Sequence, residues 1–139
     1  MLQAKLKTVC KKLEPTFERD DFRMDYAIKN NIALECCPVS NFILGYTLDL
    51  RTHPVRFMLN QGVQATISAD DPCFFNYSGL TLDYAIIVLA WEMRLPDLKK
   101  FAINGIMFSS VSDEVKEKMM ERFHRDWAVF IQETLKDEE

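Results

Sequence analysis

The chain contains 139 residues, of which 48% are hydrophobic and 27% are charged, and its net charge is −4. This composition is typical of a globular protein with room for one domain. The acidic balance argues against a nucleic-acid partner, which would require a basic surface. No apolar run approaches the length of a membrane span. We therefore expect neither nucleic acid nor a membrane among its principal partners.

Residues 1–21 form a distinct segment of the sequence. Four apolar residues recur there at helical spacing among lysines, namely Leu2, Leu6, Val9 and Leu13. A basic start followed by a continuous apolar core is missing, so no secretory signal is predicted. Two interpretations stay open: a basic amphipathic helix that touches a membrane or a partner, and a short surface helix or frayed terminus.

Two short apolar runs predict buried strands, at residues 32–37 and 63–68. A helix is predicted between them at residues 51–61, with Pro54 in its first turn and Gly62 at its end. A strand–helix–strand unit of this kind is parallel, with a right-handed crossover. The predicted fold class is therefore α/β, with two parallel strands and several helices.

Further helices are predicted around this unit, at residues 22–31, 84–93, 95–107 and 113–135. Thr81 is predicted to cap the second of these, with Asp83 in its first turn. That helix is almost wholly apolar, which predicts burial on several sides. The last helix carries an apolar stripe that we expect to be core, formed by Val115, Met119, Phe123, Trp127 and Ile131.

The four cysteines, Cys10, Cys36, Cys37 and Cys73, contain no C-x-x-C pair. Adjacent cysteines in a strand would point to opposite faces, which makes a zinc pair improbable. We expect buried free thiols at these positions.

The candidate site lies where the second predicted strand ends, at Asp70 and Asp71. In α/β folds, ligands bind at the carboxyl ends of the strands. Adjacent side chains of an extended chain point to opposite faces, so one carboxylate could face a metal while the other reaches a ligand. The alternative is that both residues cap a helix or open a turn, since Asp-Pro favours turns.

Two further features accompany these carboxylates. Ser40 and Asn41 are predicted in the loop after the first strand, on the same edge as Asp70 if the strands are parallel; their alternative role is turn and cap chemistry. An aromatic loop follows Pro72, with Phe74, Phe75 and Tyr77. It could wall a pocket for a flat ring, or it could plug the rim of the fold.

Three motifs occur in order: E-x-C-P-x-S-N at residues 35–41, D-L-x-x-H-P at 49–54 and S-x-D-D-P at 68–72. Together they resemble the adenosine deaminase family, and most closely its secreted adenosine deaminase-related growth factor branch. The resemblance runs from about residue 22 to residue 135. It implies the C-terminal part of a (β/α)8 TIM barrel at residues 22–139, preceded by a divergent N-terminal segment at 1–21.

This resemblance also implies a chemistry: zinc-dependent hydrolytic deamination of adenosine to inosine and ammonia. In the family, Zn2+ is held by three histidines and one aspartate. By position in S-x-D-D-P, Asp70 matches the metal ligand and Asp71 matches the residue that hydrogen-bonds the purine ring. An extracellular location and a possible homodimer of the full-length family member are implied in the same way.

The number of zinc ligands in the chain argues against a complete deaminase site. A catalytic zinc needs about three or more protein ligands, and the chain has two histidines, His53 and His124, neither in an H-x-H pair. Each is predicted to be structural, and no catalytic acid or base is assigned. The alternative function is therefore a truncated, inactive family remnant that acts as a binding or interaction module. AMP and adenine deaminases share S-x-D-D-P, so other aminopurine substrates stay open.

Overall fold

The computed structural model describes residues 17–136, and side chains from residue 23 onward. The helix predicted near the N-terminus lies outside these residues. The chain divides into two compact units, one ending at Phe108 and one beginning at Ser109. None of the described helices is both long enough and apolar enough to cross a membrane.

The first unit is built around a parallel pair of strands, β1 (Ala33–Cys36) and β2 (Gln64–Ile67). Ala33 lies opposite Gln64, and Cys36 lies opposite Ile67. The backbone N–H of Ser68 donates to the Cys36 carbonyl at 2.9 Å, which extends the pairing beyond β2. The predicted α/β class with two parallel strands is confirmed, although each strand is shorter than predicted.

Six α-helices are described: α1 (Phe17–Lys29), α2 (Pro38–Ile43), α3 (Pro54–Asn60), α4 (Thr81–Trp91), α5 (Leu95–Met107) and α6 (Asp113–Lys136). A short 3-10 helix, Leu50–Thr52, precedes α3. Helix α1 begins before the predicted boundary at residue 22. The division into residues 1–21 and 22–139 stays a prediction.

Helix α4 buries one stripe against the sheet. Asp83, Ile87 and Trp91 follow one another at four-residue spacing and are at most 2% exposed. Leu89 is 81% exposed, so the predicted burial of this helix on several sides is wrong: among its residues only Asp83, Ile87 and Trp91 are buried. The predicted cap is also wrong, because Leu80 occupies the N-cap position and makes no side-chain cap.

Helix α5 is fastened to β2 through a buried amide. Asn104 is 7% exposed, and its Nδ2 donates to the Ala65 carbonyl at 2.8 Å and to Gln64 Oε1 at 3.3 Å. An asparagine in the middle of a helix is otherwise unfavourable. Here it satisfies a carbonyl of β2, which explains the polar residue on the packed face of α5.

We predict that Asn104→Ala lowers the free energy of unfolding by about 1–3 kcal/mol, because the Ala65 carbonyl loses its partner in a buried setting. Chemical denaturation of the 139-residue chain measures this. Asn60→Ala, at an exposed position at the end of α3, is the control. Equal effects of the two substitutions would contradict the role given to Asn104.

In the second unit, no residue of α6 is buried. The expectation that its apolar stripe is core is therefore wrong for this chain. Val115 and Met119 are each 41% exposed. Trp127 instead packs along the helix between Phe123 and Phe130, with ring centroids 5.7 and 5.5 Å apart. Side chains three and four residues apart on a helix are neighbours, so these rings contact one another within α6.

Candidate functional site

The two strands end at the same edge of the sheet, and the side chains that follow them meet there. Ser40 Oγ donates to Asp70 Oδ2 at 2.8 Å, across 30 residues of sequence. The expected juxtaposition of Ser40 and Asp70 therefore exists. Its backbone setting differs from the prediction, because Ser40 and Asn41 are buried in the short helix α2 rather than in a loop. Pro38 is tolerated in the first turn of a helix, which allows α2 to begin directly after β1.

Asp70 sits at a turn in the backbone. Its φ of 58° lies in the left-handed region, which aspartate tolerates better than most residues. Its backbone N–H donates to Ser68 Oγ at 3.4 Å. The residue as a whole is exposed. The bend thus brings the carboxylate over the strand edge, where Ser40 holds one of its oxygens.

Asp71 takes part in a turn, which is one of the two roles that the sequence left open. Its backbone carbonyl accepts from the N–H groups of Phe74 and Phe75, at 2.9 and 3.3 Å, which begins the turn. The residue is exposed. The backbone of Asp71 therefore forms a turn, and its side chain stays accessible to a ligand.

The aromatic loop has an outer and an inner part. Phe74 is 81% exposed and contacts Phe75 edge-to-face, with ring centroids 5.5 Å apart. The Tyr77 hydroxyl lies 2.9 Å from the Ala69 carbonyl oxygen and 3.1 Å from Asp83 Oδ2. Tyr77 therefore ties the end of the loop back to the segment that carries Asp70.

Asp83 was predicted only as a charge in the first turn of a helix, yet it is completely buried. Its Oδ1 accepts from the Val39 N–H at 3.1 Å, and its Oδ2 lies near the Tyr77 hydroxyl. Burial raises the pKa of Asp83, and these two hydrogen bonds oppose that rise. Burial, followed by the nearby Asp83 charge, raises the pKa of Tyr77 to about 12. The sequence contained one indication of this burial: Asp83, Ile87 and Trp91 recur at four-residue spacing, which puts them on the same face of the helix.

His53 has a structural setting, in agreement with its predicted role. It is 3% exposed and caps α3, with Nδ1 accepting from the Val55 N–H at 3.2 Å. Its Nε2 lies 3.0 Å from the side-chain amide of Asn41. The ring also packs against Trp91, with centroids 5.1 Å apart. Both ring nitrogens are therefore engaged within the protein.

The rest of the D-L-x-x-H-P motif also stabilises local backbone. Asp49 Oδ1 accepts from the Arg51 backbone N–H at 2.9 Å, and Asp49 Oδ2 pairs with the Arg51 guanidinium at 2.7 Å. The motif thus builds the connection into α3, and its histidine contacts Asn41 of α2.

The buried state of His53 predicts a pH dependence of stability. Burial lowers the pKa of His53 from 6.5 to about 4. Between these values the unfolded chain binds a proton that the folded chain does not, so stability is present above pH 6.5 and is lost as the pH falls towards 4. This difference between the pKa of His53 in the unfolded and folded chain corresponds to roughly 3 kcal/mol of unfolding free energy. We expect His53→Asn, which retains a capping side chain, to flatten the pH dependence of the unfolding free energy.

The comparison is made by denaturation at several pH values, using the difference between the original chain and each variant. His124→Asn, in the exposed part of α6, is the matched control for removal of an imidazole. An unchanged pH slope for His53→Asn would contradict the assignment.

The described residues contain no group of three or more His, Cys, Asp or Glu side chains that could hold a metal ion. Asp70 has the chemistry of one ligand, whereas a catalytic zinc takes about three. Cys36 and Cys37 are buried, as expected, whereas Cys10 lies outside the described residues. Cys73 is exposed, so its predicted burial is wrong, because it lies in the outward-facing turn after Pro72. Among the side chains described, those of residues 23–136, Asp70 is therefore not accompanied by enough such groups for a catalytic zinc site.

A cavity of about 310 Å³ is lined by residues of α3, α4 and α5, among them Arg56, Trp91 and Lys100. Neither Asp70 nor Asp71 lines it. This cavity therefore does not coincide with the predicted site.

Most of the chain is similar in sequence to known deaminases. The family described as adenosine deaminase matches residues 18–126. Adenosine deaminase 2 of Dictyostelium discoideum is 42% identical over 97 residues, covering 70% of this chain and 18% of that protein. Adenosine deaminase 2 of Homo sapiens is 35% identical over 109 residues, covering 76% of this chain and 21% of that protein. This chain spans about a fifth of the length of these curated relatives.

Solved structures share the fold. An adenine deaminase from Arthrobacter aurescens superposes with a TM-score of 0.71 at 25% identity, over 80% of this chain and 33% of that one. An N6-mAMP deaminase from Arabidopsis has a TM-score of 0.72 at 20% identity, over 88% of this chain and 34% of that one, which is a likeness of fold alone. The predicted architecture, the C-terminal part of a (β/α)8 barrel, is confirmed.

Proposed function

Because this chain belongs to the adenosine deaminase family, we propose that it supplies the C-terminal part of a zinc-dependent active site that hydrolyses adenosine to inosine and ammonia. Similarity to the two adenosine deaminase 2 proteins supports its assignment to the growth factor branch. In this proposal Asp70 is a metal ligand and Asp71 contacts the purine ring. The observation that carries it is the hydrogen bond from Ser40 to Asp70 at the carboxyl edge of the strands.

The geometry around Asp70 favours the role of a ligand. Carboxylates that bind metals are themselves hydrogen-bonded, which fixes their orientation. Ser40 is 2% exposed and belongs to α2, so its hydroxyl is a rigidly placed donor. It engages Oδ2 of Asp70, while the residue as a whole remains exposed. This is the arrangement expected of a carboxylate that presents its other oxygen to a metal.

The remaining zinc ligands would come from outside this chain. The whole sequence has two histidines, and His53 is buried with both nitrogens engaged. His124 lies in the second unit, on α6. Asp70 is therefore proposed as one member of a ligand set that the chain does not complete.

The exposed Asp71 is suited to recognition of the substrate. It follows Asp70 directly, and its own backbone carbonyl anchors the turn. A carboxyl group held in this way can form a hydrogen bond with a polar atom of a purine ring. We also propose, from the branch alone, that the complete protein acts outside the cell and forms a homodimer.

The proposal is tested in a chimera in which this chain replaces the matching part of the Dictyostelium discoideum adenosine deaminase 2. We expect the chimera to bind zinc and deaminate adenosine. Asp70→Ala should abolish both properties, because it removes a ligand. Asp71→Ala should retain zinc and lose turnover of adenosine, because it removes a contact with the base. Metal analysis and ammonia release measure the two properties separately.

Asp25→Ala, an exposed carboxylate on α1, is the matched control and should change neither property. Near-normal zinc and activity in the Asp70→Ala chimera would refute the assignment of the ligand. A folded chimera without activity would favour the inactive remnant instead. Stoichiometric zinc in the isolated 139-residue chain would also contradict the proposal, since one ligand cannot retain it.

Ser40→Ala tests whether the hydrogen bond from Ser40 orients the proposed zinc ligand, Asp70. Loss of a hydrogen bond to a ligating carboxylate typically costs about 10- to 100-fold in metal affinity or activity, and we expect a loss in that range for zinc affinity. Ser78→Ala, at an exposed position of the aromatic loop, is the control. Zinc affinity within twofold of the control would show that Ser40 does not orient Asp70.

A further inference from the structure

The completely buried carboxylate of Asp83 is used neither as a metal ligand nor in contact with substrate in the proposed function. It lies on α4 and contacts two other segments: α2, which carries Ser40 and lies about 44 residues earlier in the chain, and the end of the aromatic loop, which directly precedes α4. A buried charge is costly unless it is well hydrogen-bonded. Its position, between the two partners of the Ser40–Asp70 contact, suggests a role there.

Asp83, which belongs to α4, caps the first turn of another helix, α2. Helix α2 has six residues, and the side chain of its N-cap residue, Cys37, does not cap it. The N–H groups of a first helical turn have no partners within the helix. Asp83 Oδ1 accepts from one of them, the Val39 N–H, at 3.1 Å. Val39 directly precedes Ser40, so this bond fixes the turn from which the Ser40 hydroxyl projects.

On the other side, Asp83 acts through Tyr77. The hydroxyl of Tyr77 lies 3.1 Å from Asp83 Oδ2 and 2.9 Å from the Ala69 carbonyl. Ala69 directly precedes Asp70, whose φ is in the left-handed region. The hydroxyl therefore contacts the backbone at the point where the chain bends to present Asp70.

We propose that Asp83 and Tyr77 are positioning residues that hold Ser40 and Asp70 in contact from both sides. One buried carboxylate fixes the donor through Val39, and the hydroxyl beside it fixes the acceptor through Ala69. The relevance of this device to catalysis rests on the proposed function of Asp70. The device itself is a property of the folded chain and is measurable without metal or substrate.

The test is the 13C chemical shift of the Asp70 carboxyl carbon, measured by NMR in the folded 139-residue chain at neutral pH. Ser40→Ala defines the value for a carboxylate that has lost its hydroxyl donor. We expect Tyr77→Phe to move the Asp70 signal most of the way to that value. Tyr46→Phe, which changes an exposed tyrosine 54% accessible to solvent, should leave the signal where it is in the original chain.

Asp83 is tested by a pair of substitutions. Asp83→Ala removes the acceptor for the Val39 N–H, and we expect the Asp70 signal to shift as in Ser40→Ala. Asp83→Asn retains a carbonyl oxygen for Val39 and a second polar atom beside Tyr77, and it should restore most of the original signal. If Asp83→Ala does not fold, Tyr77→Phe and Asp83→Asn still decide the question.

A purely structural role predicts a different result: lower unfolding free energy in Tyr77→Phe with an unshifted Asp70 signal in the folded state. That result would overturn the proposal, even if the chimera were an active deaminase. Conversely, an inactive chimera with the expected shifts would refute the proposed function and leave the positioning role intact. The two failures are therefore distinguishable.

Discussion

The parallel pairing of β1 with β2 is the constraint on which the rest of the first unit depends. Four residues of each strand pair in register, and parallel strands necessarily end at the same edge of a sheet. This is what brings Ser40 and Asp70 within hydrogen-bond distance although 30 residues separate them. The connection between the strands runs through α2, the 3-10 helix and α3, and residues of α4 and α5 pack in one core with residues of both strands. A change that disturbed the register would separate the donor from the acceptor.

Buried polar side chains keep the elements around this pair in place, and each has a defined partner. Asn104 joins α5 to a β2 carbonyl, His53 caps α3 and contacts α2, and Asp83 joins α4 to α2. Among the described residues that are not exposed, no buried side-chain nitrogen or oxygen is left without a hydrogen-bond partner. Since unpaired buried groups are expensive, these bonds select one arrangement of the helices. The arrangement they select is the one that presents Asp70 and Asp71 to solvent.

The three motifs differ in role: one stabilises the local backbone, and the other two supply the residues of the candidate site. The middle motif, D-L-x-x-H-P, supplies local backbone contacts and a buried imidazole with a pKa near 4. The first and third motifs supply the two sides of the strand edge, Ser40 and Asp70. The described residues contain no group of three or more His, Cys, Asp or Glu side chains that could hold a metal ion, and the chain spans about a fifth of the length of its curated relatives. The chain can therefore form the Ser40–Asp70 contact at the carboxyl edge of the strands without containing all the ligands of a metal site.

The sequence by itself determined the α/β class, the two parallel strands, the bounds of α5 and the location of Asp70 at a strand end, because apolar periodicity and proline positions act locally. It indicated the family through three motifs in order. Only the tertiary structure decided that Ser40 lies in a helix, that Asp83 is a buried cap for α2, and that Asn104 of α5 donates to a carbonyl of β2. It also decided that α4 and α6 leave apolar faces exposed in this chain. These outcomes depend on partners that are 30 or more residues away or on the cover a helix receives, and a local pattern contains neither.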